Sequence, residues 1–132
     1  MAERLPATVS CPVLVLRVEI PRLSDDTVAE MLRDEFLTRL GRCDALHVVI
    51  DLGTVTYLSS AGFRPLLSLL REVRKRGGRL VLCGLAELVA EAFIATRLIT
   101  AGGPMPSVFE AQPDVISAVA SLLHGSPEDT VV

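Results

Sequence analysis

An α/β fold, with helices packed on a small and mostly parallel β-sheet, is the architecture this sequence predicts. Three observations carry the expectation. Short β-rich runs alternate with segments of helical apolar spacing, the pattern of a parallel sheet crossed by helices. One run, Ala45–Asp51 (Ala-Leu-His-Val-Val-Ile-Asp), is nearly continuous in apolar residues, as strands covered on both faces are. The chain of 132 residues is 50% hydrophobic, which suffices for one core and one domain.

Taken in order, the first ten residues read as a flexible or edge segment before a single domain over 11–124. Val13–Val18 is β-rich and bounded by Pro12 and Pro21, so it reads as a strand. Ser24 or Asp25 can cap a helix in which Val28, Met31, Leu32, Phe36 and Leu40 recur at helical spacing up to Gly41. Cys43-Asp44-Ala45 is a turn into the buried strand, and Leu52–Leu58 a loop holding Gly53. From Ser60 to Arg76 the apolar positions Leu66, Leu67, Leu70 and Val73 are helical, and Gly77-Gly78 stops the element. Arg79–Cys83 is a third strand, Ala86–Ala95 a short helix, and Arg97–Gly103 a connection. Ser107-Val108-Phe109 reads as a fourth, short strand. Pro113–Leu123 is a last amphipathic helix, and 125–132 a flexible tail.

Composition excludes several function classes. A net charge of −3 argues against nucleic acid as the main partner, because phosphate neutralisation needs a basic face. The cluster Arg71, Arg74, Lys75 and Arg76 reads as a solvated helix face. Cys11, Cys43 and Cys83 are odd in number and far apart, which fits neither a disulfide framework nor a metal site. Cys83, in an apolar run, reads as a buried free thiol. His47 reads as a strand residue and His124 as a cation at a helix C-terminus. No metal or other cofactor is expected. No signal peptide is visible and no apolar run reaches bilayer-spanning length, so no membrane association and a cytoplasmic location are expected.

The informative stretch is Val48-Val49-Ile50-Asp51-Leu52-Gly53-Thr54-Val55-Thr56-Tyr57-Leu58-Ser59-Ser60-Ala61-Gly62. A buried strand delivers the chain to a loop at its carboxyl end, where open parallel sheets usually meet their ligands. Small hydroxylic residues then start a helix. Small side chains let another surface approach, and the unpaired amides of a helix start favour anions. A phosphate on serine adds roughly −1.5 to −2 charge at neutral pH. The helix start tolerates that charge, whereas a partner packed over it does not. The plain alternative is that the two serines are an N-cap, worth about 1 kcal/mol.

The stretch from Asp51 to Gly62, the leucine-rich helix after it, and Gly77-Gly78-Arg79-Leu80-Val81-Leu82-Cys83-Gly84 resemble the STAS domain of bacterial anti-sigma-factor antagonists. The resemblance covers Val13 to Leu123 and is strongest between His47 and Leu98. It implies a small mixed, mostly parallel sheet with four helices packed mainly on one face. It also implies a non-enzymatic partner switch. An anti-sigma factor that is also a serine kinase phosphorylates the antagonist and thereby loses its hold on it, and a PP2C-type phosphatase restores binding. Counting back from Gly62, the resemblance makes Ser60 the acceptor, with Ser59 as the alternative. Ser59 stands where the family usually has Asp. Pro65 lies early in the helix and is tolerated only near a helix start, so the regular helix is expected as late as Gly62 or Phe63, with the serines in the preceding turn. The segment Glu19–Ser24 lacks the family's usual Gly and Leu-Asp pattern.

Tyr57, Ser59, Ser60, Ala61, Gly62 and Phe63 are the candidate partner-binding residues, Tyr57 and Phe63 being alternatively core. Asp51 is either part of the acidic setting in which the kinase acts or a strand-end residue bonded to local amides. Two other functions compete. One keeps the fold without phosphorylation, as a scaffold or as an accessory subunit of a signalling or lipid-transport complex. The other, a serine hydrolase, lacks its Gly-x-Ser-x-Gly motif and a histidine base. The sequence leaves the oligomeric state open, a homodimer included.

Overall fold

The computed structural model describes residues 13–96, 98 and 108–123. The expected end segments 1–10 and 125–132, His124, Cys11 and most of the Arg97–Gly103 connection lie outside them. The elements run β1 (Val13–Arg17), β2 (Arg22–Leu23), α1 (Asp26–Gly41), β3 (His47–Asp51), β4 (Tyr57–Leu58), α2 (Ser60–Lys75), β5 (Leu80–Cys83), α3 (Glu87–Ala95), β6 (Glu110–Gln112) and α4 (Val115–Leu123).

The main sheet has the order β1-β3-β5-β6, and every pairing in it is parallel. Because side chains alternate across a strand, Leu14, Leu16, Val48, Ile50, Leu80 and Leu82 face one side. There α1, α2 and α3 cover them with Leu32, Phe36, Leu66, Leu70 and Phe93. Val13, Val49, Val81 and Cys83 face the other side, where α4 lays Ala118 and Leu122 over them. Coverage on both faces is why β3 and β5 read as unbroken apolar runs. The expected fold therefore holds, with three helices on one face and one on the other.

Asp25 caps α1, its carboxylate accepting from the Thr27 amide. The buried stripe of α1 is Ala29, Leu32, Phe36 and Leu40, whereas Met31 is 62% exposed. α2 starts at Ser60 and runs through Pro65, earlier than Pro65 suggested. Pro65 is buried, and the helix accommodates it within its second turn. Gly77 ends α2 with a φ of +82°, a left-handed conformation that costs glycine little.

Two short features depart from the sequence reading. β2 and β4 form a separate two-residue parallel ladder, Arg22 opposite Tyr57 and Leu23 opposite Leu58, where loops were expected. The last described strand is Glu110–Gln112; of the expected Ser107–Phe109, Val108 and Phe109 precede it and Ser107 lies outside the described residues. Phe109 gave the apolar signal but lies just before the strand, fully buried, its ring 5.7 Å from that of Phe93. The edge strand itself is polar and largely exposed.

Candidate functional site

Contacts along the chain from β3 to α2 hold the connection in place and leave Ser60 exposed at its end. At the carboxyl end of β3, Asp51 accepts from the Gly53 amide (2.9 Å) and from Arg17 Nε (3.1 Å). It is thus a strand-end residue bonded locally, the second of the two readings considered for it. Leu52 and Val55 are fully buried and pin the loop from below. The chain then enters β4 through bonds from the Thr56 amide (2.8 Å) and the Tyr57 amide (3.2 Å) to the Pro21 carbonyl. One register further, the Ser59 amide donates to the Leu23 carbonyl at 3.0 Å.

Ser59 is the N-cap residue of α2, extended at φ −105° and ψ −178°, yet its side chain makes no capping bond. Its hydroxyl, partly buried, turns instead toward the Leu23 carbonyl at 3.5 Å. The plain N-cap explanation of the two serines therefore does not hold here. Ser60, the first helical residue, is exposed. No acidic residue stands in the first turn of α2, so nothing there offsets the partial positive charge of the helix start.

The rest of the small-residue stretch faces inward. Ala61 and Gly62 are buried, and Phe63 is 8% exposed with its ring edge-on to Phe93 at 4.9 Å. Phe63 is therefore core, the alternative raised for it, and its ring is not offered to a visitor. Gly62 is small for an internal reason, because a Cβ there would lie 2.5 Å from the Leu23 carbonyl oxygen and 2.6 Å from Leu58 Cδ1. The surface that approaches it closely is the chain's own β2. Tyr57, in contrast, is 44% exposed, with the Arg22 guanidinium 4.6 Å above its ring. Of the six candidate residues, the exposed ones are Tyr57 and Ser60, with Ser59 at the margin.

Sequence reasoning missed the side chains that frame this rim. Arg22 belongs to the short ladder, which has no periodic signature. Arg64 lies one turn along α2 from Ser60 and reaches Asp26 at the head of α1, Nη1 to Oδ1 at 3.4 Å. Its signal was available, since residues four apart share a helix face.

The remaining reactive side chains serve the fold. His47 Nδ1 accepts from the Arg79 amide at 3.0 Å. Burial and the adjacent Arg79 guanidinium hold the imidazole below its usual range, against the opposing influence of Glu110. Cys83 is wholly buried. Burial, followed by the carboxylates of Asp51 and Asp114, pushes its thiol up to about 11. Among the described residues no cluster of three or more His, Cys, Asp or Glu could hold a metal ion, and no helix is long and apolar enough to cross a membrane.

A family model described as the STAS domain matches residues 5–102. Over 65 residues the chain is 40% identical to a Bordetella bronchiseptica protein provisionally named anti-sigma factor antagonist BtrV. That match takes in 49% of this chain and 55% of the relative, so it spans about half of each. Two solved structures share the fold. A variant of Moorella thermoacetica RsbS superposes with a TM-score of 0.67 at 18% identity, over 92% of this chain and 99% of that one. The anti-sigma factor antagonist SpoIIAA, in its unphosphorylated form, superposes with a TM-score of 0.59 at 16% identity, over 90% and 96%. Identities this low speak for architecture alone.

Proposed function

The chain belongs to the STAS domain family, and we propose that it works as an anti-sigma-factor antagonist switched by phosphate on Ser60. In this reading the unmodified protein binds an anti-sigma factor that is also a serine kinase. The kinase moves the γ-phosphoryl group of ATP onto Ser60 Oγ, releasing ADP and the hydroxyl proton, and the complex then comes apart. A PP2C-type phosphatase hydrolyses the phosphate and resets the cycle. The protein itself catalyses nothing, needs no cofactor, and acts in the cytoplasm.

The observation that carries the proposal is the position of Ser60, exposed at the first turn of α2 and spared from capping. An anion there is stabilised by the helix dipole, by about 0.3–1 kcal/mol at an exposed site. The fold would thus survive modification. A partner lying over Tyr57, Ser59 and Ser60 would meet a desolvated dianion, which costs several kcal/mol when unpaired. The names of the relatives point the same way.

Two measurements test this reading. Mass spectrometry of the protein isolated from its own cells should find phosphate on the Ser59–Ser60 peptide, located at Ser60. Against the anti-sigma factor of the same organism, Ser60→Asp should bind at least tenfold more weakly than the parent. Ser60→Ala should bind like the parent and never switch off. Equal affinity of the two variants would sink the model.

A further inference from the structure

We infer that Arg64 is the residue that takes hold of the phosphate once Ser60 carries it, and that Asp26 is the anion it gives up. The inference rests on the reading of Ser60 as the acceptor and adds the intramolecular event that modification triggers.

Ser60 and Arg64 stand four residues apart on α2, so their side chains lie on the same helix face, one turn apart. The anion is on the N-terminal side of the cation, the favourable order for such a pair. Arg64 is engaged at the head of α1, where its guanidinium meets the Asp26 carboxylate through one long bond of 3.4 Å. Both side chains are open to solvent, 68% and 71% exposed, so the pair is a weak one.

A phosphoserine at position 60 outbids that carboxylate on two counts. It brings roughly twice the charge, and it offers three acceptor oxygens to a guanidinium suited to bidentate bonds. Asp26 is released at little cost, because it occupies the first turn of α1, where the helix dipole favours a carboxylate. Asp25, not Asp26, makes the capping bond to Thr27, so α1 keeps its cap throughout. Arg22, also near this rim, lies over the face of Tyr57.

Phosphorylation thus rearranges the outer surface between the heads of α1 and α2 as well as adding charge. Before modification a partner meets Ser60 beside a neutralised Arg64–Asp26 pair. Afterwards it meets a phosphate chelated by Arg64 and a bare carboxylate at Asp26. Two anionic features then replace one neutral one.

The test needs no kinase. Phosphoserine is placed at position 60 of the full chain during synthesis, and the second ionisation of its phosphate is followed by 31P NMR at low salt. The expected result is a midpoint about half a unit below the ordinary phosphoserine value of about 6, a roughly threefold loss of proton affinity. Arg64→Gln should abolish most of that depression, and Asp26→Asn, which frees the guanidinium beforehand, should deepen it. Circular dichroism would verify that both exposed-site variants are folded. A titration unmoved by Arg64→Gln, or a midpoint indifferent to Asp26→Asn, overturns the inference. Absence of phosphate on protein from cells would instead strike at Ser60 as the natural acceptor, and leave this titration as it is.

Discussion

A Cβ at position 62 would press on the Leu23 carbonyl oxygen, on Leu23 Cβ at 2.8 Å and on Leu58 Cδ1. Replacing glycine by alanine inside a helix ordinarily stabilises by about 1 kcal/mol. Here the neighbours include backbone that cannot swing aside, so the sign reverses. Gly62→Ala should destabilise by about 1–3 kcal/mol, the range for overpacked sites, read as a lower urea midpoint. Single residues were legible in the sequence where chemistry alone decides. Ser60 stood out as a hydroxyl at a helix start, and Cys83 as a thiol in an apolar run. They were not legible where a distant neighbour decides. Gly62 is small because of Leu23, 39 positions away in chain order, and Phe63 points inward because Phe93 waits there.

Among the elements, α1 and α2 were readable from their apolar spacing, and β3 and β5 from their continuity. The basic end of α2 was readable as an exposed face, since Arg71, Arg74, Lys75 and Arg76 are all exposed, but its contacts were not. Arg71, Arg74, Lys75 and Arg76 look alike as letters, and a solvated face was the expectation. In the fold Lys75 pairs with Glu72 and Arg74 Nη2 donates to the Val108 carbonyl. Arg76 does most, donating to the carbonyls of Leu40 (2.8 Å), Cys43 (3.1 Å) and Ala45 (3.1 Å). It closes the C-terminal end of α1, where orphan carbonyls need donors. Arg76→Ala should therefore cost about 2 kcal/mol, the scale of bonds to a charged donor, and Arg76→Lys should recover only part of it. Chemical denaturation of the three proteins side by side measures both. The β2–β4 ladder escaped notice because two residues carry no period, and β6 because its apolar marker lies outside it.

At the scale of the whole molecule, titration reports on how tightly the sheet is closed. The His47 pKa is lowered by folding, so its contribution is complete above its ordinary value of 6.5 and is lost as pH falls through the lower folded value. Protonation also removes the acceptor of the Arg79 amide. The Cys83 pKa is raised, so that contribution is complete below its ordinary 9.0 and is lost as pH rises from there toward about 11. Urea midpoints should accordingly form a plateau between these limits. His47→Asn should remove part of the acid limb, and Cys83→Ala part of the alkaline one. The layered architecture was legible because alternation of strand and helix is a whole-chain property, whereas the division of helices, three to one, is set by side chains that meet only after the chain has closed. All four strands of the main sheet run the same way, and β1 finds β3 through partners 34 residues apart in sequence. Among the described strands no hairpin can therefore seed this sheet. A long excursion must be closed before the first rung yields any gain, which slows folding relative to a helical bundle of the same length. Until then the bare edges of β3 and β5 are open to strangers, so aggregation during synthesis is the hazard that this topology carries.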